Sequence, residues 1–114
     1  MANLRRSLSA REVAETFYNC IEKGDYDLWI QTLSQSNRDV LTYGSPWFWW
    51  ATGRRYSQKY GVRWVFQREV YQDDKRAKLY FIRLNPDGSQ RGMPVPIYLI
   101  RDVDREWRVE TASI

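Results

Sequence analysis

Between residues 9 and 61 apolar side chains recur at helical spacing, and from Val62 onward they alternate every second residue. The switch predicts helices first and a sheet after. Ser9 and Glu12 form an S-x-x-E capping box, in which each side chain serves an orphan backbone N–H. Val13, Ala14, Phe17, Cys20 and Ile21 follow on one face, and Gly24 supplies the left-handed residue that stops this first helix, expected over 9–23. Asp25 caps a second helix at once, expected over 25–34, with Leu28, Trp29 and Leu33 as its stripe and residues 34–37 as a frayed end or turn. Ser45-Pro46 opens a third, because proline at the first helical position loses no hydrogen bond. It is expected over 46–60, closed by Gly61 and weakened in the middle by Gly53.

Four strands are expected over 62–71, 76–84, 93–101 and 106–112. In the first, Val62, Trp64, Phe66 and Val70 alternate with Arg63, Gln67 and Glu69; in the second, Ala77, Leu79 and Phe81 alternate with Lys78, Tyr80 and Ile82. A two-residue turn at Asp73-Asp74 sets Phe66 opposite Phe81, Trp64 opposite Arg83 and Glu69 opposite Lys78. These are three favourable cross-strand pairs from one register. Asn85-Pro86-Asp87-Gly88 is a strong turn. Met93, Val95, Ile97 and Leu99 form the third strand, and Trp107, Val109 and Thr111 the fourth, after a turn near 102–104. Pro94 and Pro96 cannot donate to a ladder, so that part of the third strand is expected to overhang its neighbour or to bulge. The pattern as a whole is α+β, with N-terminal helices packed on an antiparallel sheet of four or slightly more strands.

The 114 residues suit a single domain, 1–114, with one hydrophobic core. The chain has no histidine and one cysteine, Cys20. That excludes an internal disulfide, a thiolate metal site, and Ser-His-Asp or Cys-His chemistry within the chain. The acidic residues lack calcium-loop spacing, so neither a metal nor another cofactor is expected. No apolar run approaches the roughly 18 residues that span a bilayer, and Met1-Ala2-Asn3-Leu4-Arg5-Arg6 does not form a secretory signal. A cytoplasmic protein without a membrane partner is expected, or an exported one whose signal has been removed. The formal charge of +4 is concentrated: residues 51–71 carry Arg54, Arg55, Lys59, Arg63 and Arg68 against Glu69 alone.

Two segments carry a resemblance to a known family. One is Ala10-Arg11-Glu12-Val13-Ala14-Glu15-Thr16-Phe17-Tyr18 with Ile21-Glu22-Lys23-Gly24-Asp25-Tyr26. The other is Pro94-Val95-Pro96-Ile97-Tyr98-Leu99-Ile100 followed, after a polar turn, by Glu106-Trp107-Arg108-Val109. Together with the element order, they make the chain resemble the nuclear-transport-factor-2-like superfamily, the cone-shaped fold shared with ketosteroid isomerase. The resemblance implies a curved sheet wrapped around the first helices, a pocket between them, and frequent pairing sheet to sheet. Enzymes of that kind use acidic residues, tyrosine or histidine in the pocket; histidine is missing here.

Candidate sites follow from the same patterns. Trp47-Phe48-Trp49-Trp50 are four consecutive helical residues about 100° apart, so they cannot share one buried stripe. Two of them are expected in the core and two over neighbouring loops or a partner; the sharper alternative puts them at a pocket mouth. Phe17, Tyr18, Trp47, Trp50, Trp64, Phe66, Phe81 and Trp107 are the candidate pocket residues, with core packing as the plainer role for most of them. Leu99 shares the same sheet parity. Val65, Tyr80, Ile82, Tyr98 and Ile100 fall together on the opposite sheet face, where polar residues would be ordinary, and are the candidate dimer interface. Arg54, Arg55, Lys59 and Arg63 interleave with Tyr56, Tyr60 and Trp64. Charge beside stacking faces is what single-strand binding needs, while a solvated helix face is the commoner outcome.

These readings combine into one functional expectation: a homodimer that holds a small, largely apolar ligand without catalysis. The first alternative is an enzyme of the same fold, with acid–base chemistry from Asp39 or a pocket tyrosine such as Tyr18 or Tyr43. The second is a basic accessory protein that contacts single-stranded nucleic acid, although nucleic acid is not the expected partner because no recognition signature accompanies the charge.

Overall fold

Ser9 and Glu12 close their capping box as the sequence requires. The Glu12 N–H donates to Ser9 Oγ at 3.0 Å and the Ser9 N–H to Glu12 Oε1 at 2.9 Å. This starts α1, Ala10–Lys23, which ends on Gly24 in the left-handed region at φ 76°. A computed structural model describes residues 3–114; Met1 and Ala2, the first residues of the segment read above as no secretory signal, lie outside the described residues. α2 (Tyr26–Gln31), α3 (Gln35–Arg38) and α4 (Ser45–Tyr60) follow. Then come β1 (Arg63–Gln72), β2 (Arg76–Leu84), β3 (Val95–Arg101) and β4 (Trp107–Ala112) in one antiparallel sheet of order β1-β2-β3-β4. The expected α+β class is observed. α1 lies on the inner face of the sheet with α4 packed against it, and the core runs between them.

The second helix is shorter than the 25–34 expected, and the cause is visible in β4. Leu33 leaves the helix to form a parallel bridge with Val109. The Val109 N–H donates to Thr32 O at 2.7 Å, and the Ser34 N–H to Val109 O at 2.9 Å. The Asn37 side-chain amide then donates to Val109 O and Glu110 O at 3.0 and 2.9 Å. The linker and the one-turn α3 thus cover the outer edge of β4, where bare N–H and C=O groups would otherwise template aggregation.

Phe66 faces Phe81 and Trp64 faces Arg83, as the alternation predicts, but Glu69 meets Leu79 rather than Lys78. The hairpin tip is Asp74-Lys75, with Asp73 N–H bonded to Arg76 O and Asp73 Oδ1 accepting from the Lys75 and Arg76 N–H groups. Ladder shifts between Phe66 and Arg68 and between Glu69 and Tyr71 each insert one residue into β1. Val70, expected on the buried parity, is one of the inserted residues and is exposed. Residues 67–72 are all exposed, so the far end of the hairpin projects beyond the helices. β3 begins at Val95, later than expected. Pro94 precedes the ladder, Pro96 pairs with Tyr80 close to the start of the strand, and Met93 lies in solvent.

Gly53 does more than weaken α4. A Cβ built there would lie 2.6 Å from Ile21 Cγ2, so the glycine lets α4 approach α1 more closely than any side chain would permit.

Candidate functional site

The interior expected to hold a pocket is filled by aromatic rings. Phe17 and Tyr18 of α1 meet edge to face at 5.0 Å. Tyr18 stacks on Trp64 at 5.6 Å and touches Phe81 at 4.7 Å, and Phe66 meets Phe81 edge on at 5.8 Å. Phe17, Tyr18, Phe81 and Trp107 are buried. The Tyr18 hydroxyl donates to Ser113 O at 2.9 Å, and Arg83 Nη1 donates to Ile114 O at 3.2 Å. Burial pushes the Tyr18 phenol far above its ordinary range, against a smaller opposing pull from Arg83. Tyr18 therefore stays protonated and occupied, which suits a structural donor and not a general base.

The tryptophan run divides two and two. Trp49 enters the core, and Trp50 packs half-buried against Trp29 and Tyr26, at 5.0 Å from each. Trp47 and Phe48 are 58% and 61% exposed, beside Tyr43 at 77%. Asp39 is exposed at the end of α3, and its carboxylate accepts from Gln35 Nε2 at 2.9 Å. The Tyr43 hydroxyl donates to Asp39 O at 3.3 Å. The acid–base candidates Asp39, Tyr18 and Tyr43 thus divide between surface and core and do not converge on one reacting position. Among the described residues no three acidic, cysteine or histidine side chains gather as a metal cage. Cys20 is buried, and burial raises its thiol to about 11, so it is a weak nucleophile at neutral pH.

Open space lies on the other side of α1. A groove of about 570 Å³ runs between the N-terminal segment, α1, α2 and β1. Leu4, Leu8, Leu28, Trp64, Val65 and Phe66 contribute its apolar surface, and Glu12, Glu15, Asn19 and Glu22 are among its polar lining. Two of the candidate pocket residues, Trp64 and Phe66, thus reach a cavity. The wall formed by residues 4–8 is held at both ends: the Leu4 N–H donates to Gln31 Oε1 at 2.8 Å, and the Ser7 N–H to the buried Glu106 at 2.6 Å. The sequence offers no periodicity across residues 3–8, so this wall was not foreseeable; the carboxamide and carboxylate that anchor it lie 27 and 99 residues away. Glu22 sits at the groove's β1 side and accepts the Trp64 N–H at 3.0 Å. Burial raises its carboxyl above the ordinary value, partly offset by that hydrogen bond and by Arg63 and Lys23.

The outer face of the sheet has no helix over it. Val65 pairs with Ile82 across β1 and β2; Tyr80 faces Pro96, and Arg76 faces Ile100, across β2 and β3. Val65 is 39% exposed, and Tyr80, Ile82, Tyr98 and Ile100 are half-buried. Part of their cover is cationic. Arg68 lies 4.8 Å over the Tyr80 ring, and Lys78 Nζ sits between Tyr80 and Tyr98 at 5.3 and 5.2 Å. The tyrosines hold the Lys78 charge, which raises its pKa, Tyr98 most of all. Arg76 and Arg108 are matched by Glu110 and Asp104 at 3.5 and 3.1 Å.

Of the basic stretch, Arg54 is committed internally, donating to Ile21 O and Glu22 O at 2.6 and 3.1 Å, and Trp64 is buried. Arg55, Lys59, Tyr60 and Arg63 remain at the surface. No helix among the described residues is long and apolar enough to cross a membrane. The chain matches no protein-family model and no curated protein sequence.

Proposed function

We propose that this domain is a non-enzymatic binding module that pairs with a second copy of itself through the outer face of its sheet. The observation that carries the reading is the contrast between the two sheet faces: the inner one is packed under helices, while Val65, Tyr80, Ile82, Tyr98 and Ile100 stay half-buried or exposed, with Arg68 and Lys78 over the tyrosine rings. Burying about 800 Å² per partner would be an ordinary specific interface, at roughly 25 cal/mol per Å² of apolar area. Two-fold symmetry sets the patch against itself, so each substitution enters the interface twice. It also brings the two copies of Arg68 and Lys78 into one neighbourhood. Salt should therefore tighten the dimer by screening like charges.

The small, largely apolar ligand of this reading belongs in the groove over α1, since the interior is filled. Its volume of about 570 Å³ lies within the usual range of small-molecule sites. Native mass spectrometry of protein purified from its own host tests both parts. The reading predicts a dimer that carries additional ligand mass, and loss of that mass in Leu8→Asp. Tyr80→Glu and Ile82→Lys should yield folded monomers. A bare monomer in the wild type, at concentrations where ordinary dimers persist, contradicts the reading.

A further inference from the structure

Three cations of this chain are gathered around two tyrosine rings with no acid to balance them. Tyr56 and Tyr60 lie one turn apart on α4, their rings 6.4 Å apart. Arg55 sits 5.7 Å from the Tyr56 ring and Lys59 5.4 Å from the Tyr60 ring. Arg91 reaches over from the loop between β2 and β3, 5.4 Å from Tyr56 and 4.5 Å from Tyr60. It is held there by its backbone, whose N–H donates to Arg83 O at 2.8 Å. None of the three forms an ion pair with a carboxylate among the described residues. α4 contains no acidic residue at all.

Folding alone gives little reason for this arrangement. A cation in the last turn of a helix is favoured by the helix dipole, which accounts for Lys59. It does not account for Arg91, brought from another element to within cation–π range of the same ring. Like charges drawn together at a surface raise the local potential and are compensated when an anion binds there. Rings flanked by cations add a second chemistry, because stacked bases need a π face and their phosphates need the charge. Tyr60 is 40% exposed and offers such a face. A duplex hides its base faces, whereas a single strand presents them.

We propose that Arg55, Lys59 and Arg91 with Tyr56 and Tyr60 form a binding site for single-stranded nucleic acid, the cations on phosphates and Tyr60 under a base. The site is on α4 and the β2–β3 loop, so it does not depend on the sheet pairing proposed above.

Fluorescence anisotropy with labelled single-stranded oligouridine and oligothymidine tests it on the full chain. Binding should weaken steeply with salt, and each of Arg55→Gln, Lys59→Gln and Arg91→Gln should lower the log–log salt slope by about 0.7. Tyr60→Ala should cost about tenfold in affinity while leaving the slope unchanged, and circular dichroism of each variant should match the wild type. Absence of binding at low salt overturns the proposal. So does equal binding of duplex or polyglutamate, or indifference to Tyr60→Ala, since any of these would make the patch a general attractor of polyanions or of acidic proteins.

Discussion

The two faces of the sheet are built from the same alternation and end in opposite conditions. On the inner face Leu79, Phe81, Ile97, Leu99, Trp107 and Val109 are buried, pressed against α1 and its neighbours. On the outer face the intervening residues stop half-way, with apolar side chains and tyrosines under a thin cover of arginine and lysine. Burial on one side takes most of the aromatic surface into the core and leaves Trp64 and Phe66 at the groove beside α1. What this domain has to offer a partner therefore lies on its outside.

The sharpest way to break that contrast is to truncate neighbours that point opposite ways. Phe81→Ala removes a buried ring in contact with Tyr18 and Phe66 and should cost about 3–5 kcal/mol in denaturant unfolding. Ile82→Ala, one residue on, should cost well under half as much in the monomer. Equal losses would mean the faces do not differ as described.

Gly53→Ala asks how tightly the inner layers fit. Helix propensity alone favours alanine by about 1 kcal/mol, but the new methyl meets Ile21 Cγ2 at 2.6 Å. Overpacking should win, with a net loss of about 1–2 kcal/mol, and combined with Ile21→Ala, which removes the clashing Cγ2, the double variant should lose less than the sum of the two single losses. A stabilised Gly53→Ala would show slack between α1 and α4.

Ser9→Ala removes the cap of the helix that the inner face packs on, and should lower stability by about 1 kcal/mol. The pH dependence of the capping box has a defined sign. Backbone and side-chain hydrogen bonds from Ser9 hold the Glu12 carboxyl below its ordinary value. That contribution is present above the unfolded pKa and disappears as pH falls through the folded one. Acid titration of the melting temperature should therefore separate wild type from Glu12→Gln at neutral pH and bring those two together in acid. The Ser9→Ala deficit should persist, because alanine keeps the backbone N–H that Glu12 accepts.

Glu22 lies between the regions, half-buried beside the groove, and has the opposite sign. Burial raises its folded pKa, so its favourable contribution is full below the unfolded carboxylate pKa and is lost as pH rises through the folded value. Glu22→Gln keeps an acceptor for the Trp64 N–H and should give a small gain in melting temperature near neutral pH, with none in acid. A loss at neutral pH would show that the ionised form is needed.

Much of this was legible along the chain, and the parts that were not share a cause. The capping box at Ser9, the stop at Gly24 and the Phe66–Phe81 pair follow from local chemistry and parity. The two bulges in β1 carry no local signal: they shift the tip by one residue and return the register to Phe66–Phe81, which conceals them from pattern reading. The early end of α2 is decided by Val109, far away in sequence, which offers Leu33 and Ser34 a strand-like bridge in place of another helical turn. Gly53 resembles a flaw until Ile21 is placed beside it. At the candidate sites, parity identified the outer-face set. It could not show that Arg68, moved by a bulge, would come to lie over Tyr80, nor that Arg91 would join Tyr56 and Tyr60.

Sedimentation velocity of the wild type over a concentration series up to about 100 µM, far above the Kd of an ordinary specific pair, tests the central claim most directly. The account predicts a species of twice the 13.8 kDa chain mass, strengthened by added salt and reduced to monomer by Ile82→Lys. A single monomeric boundary across the whole series, unchanged by salt, would contradict it.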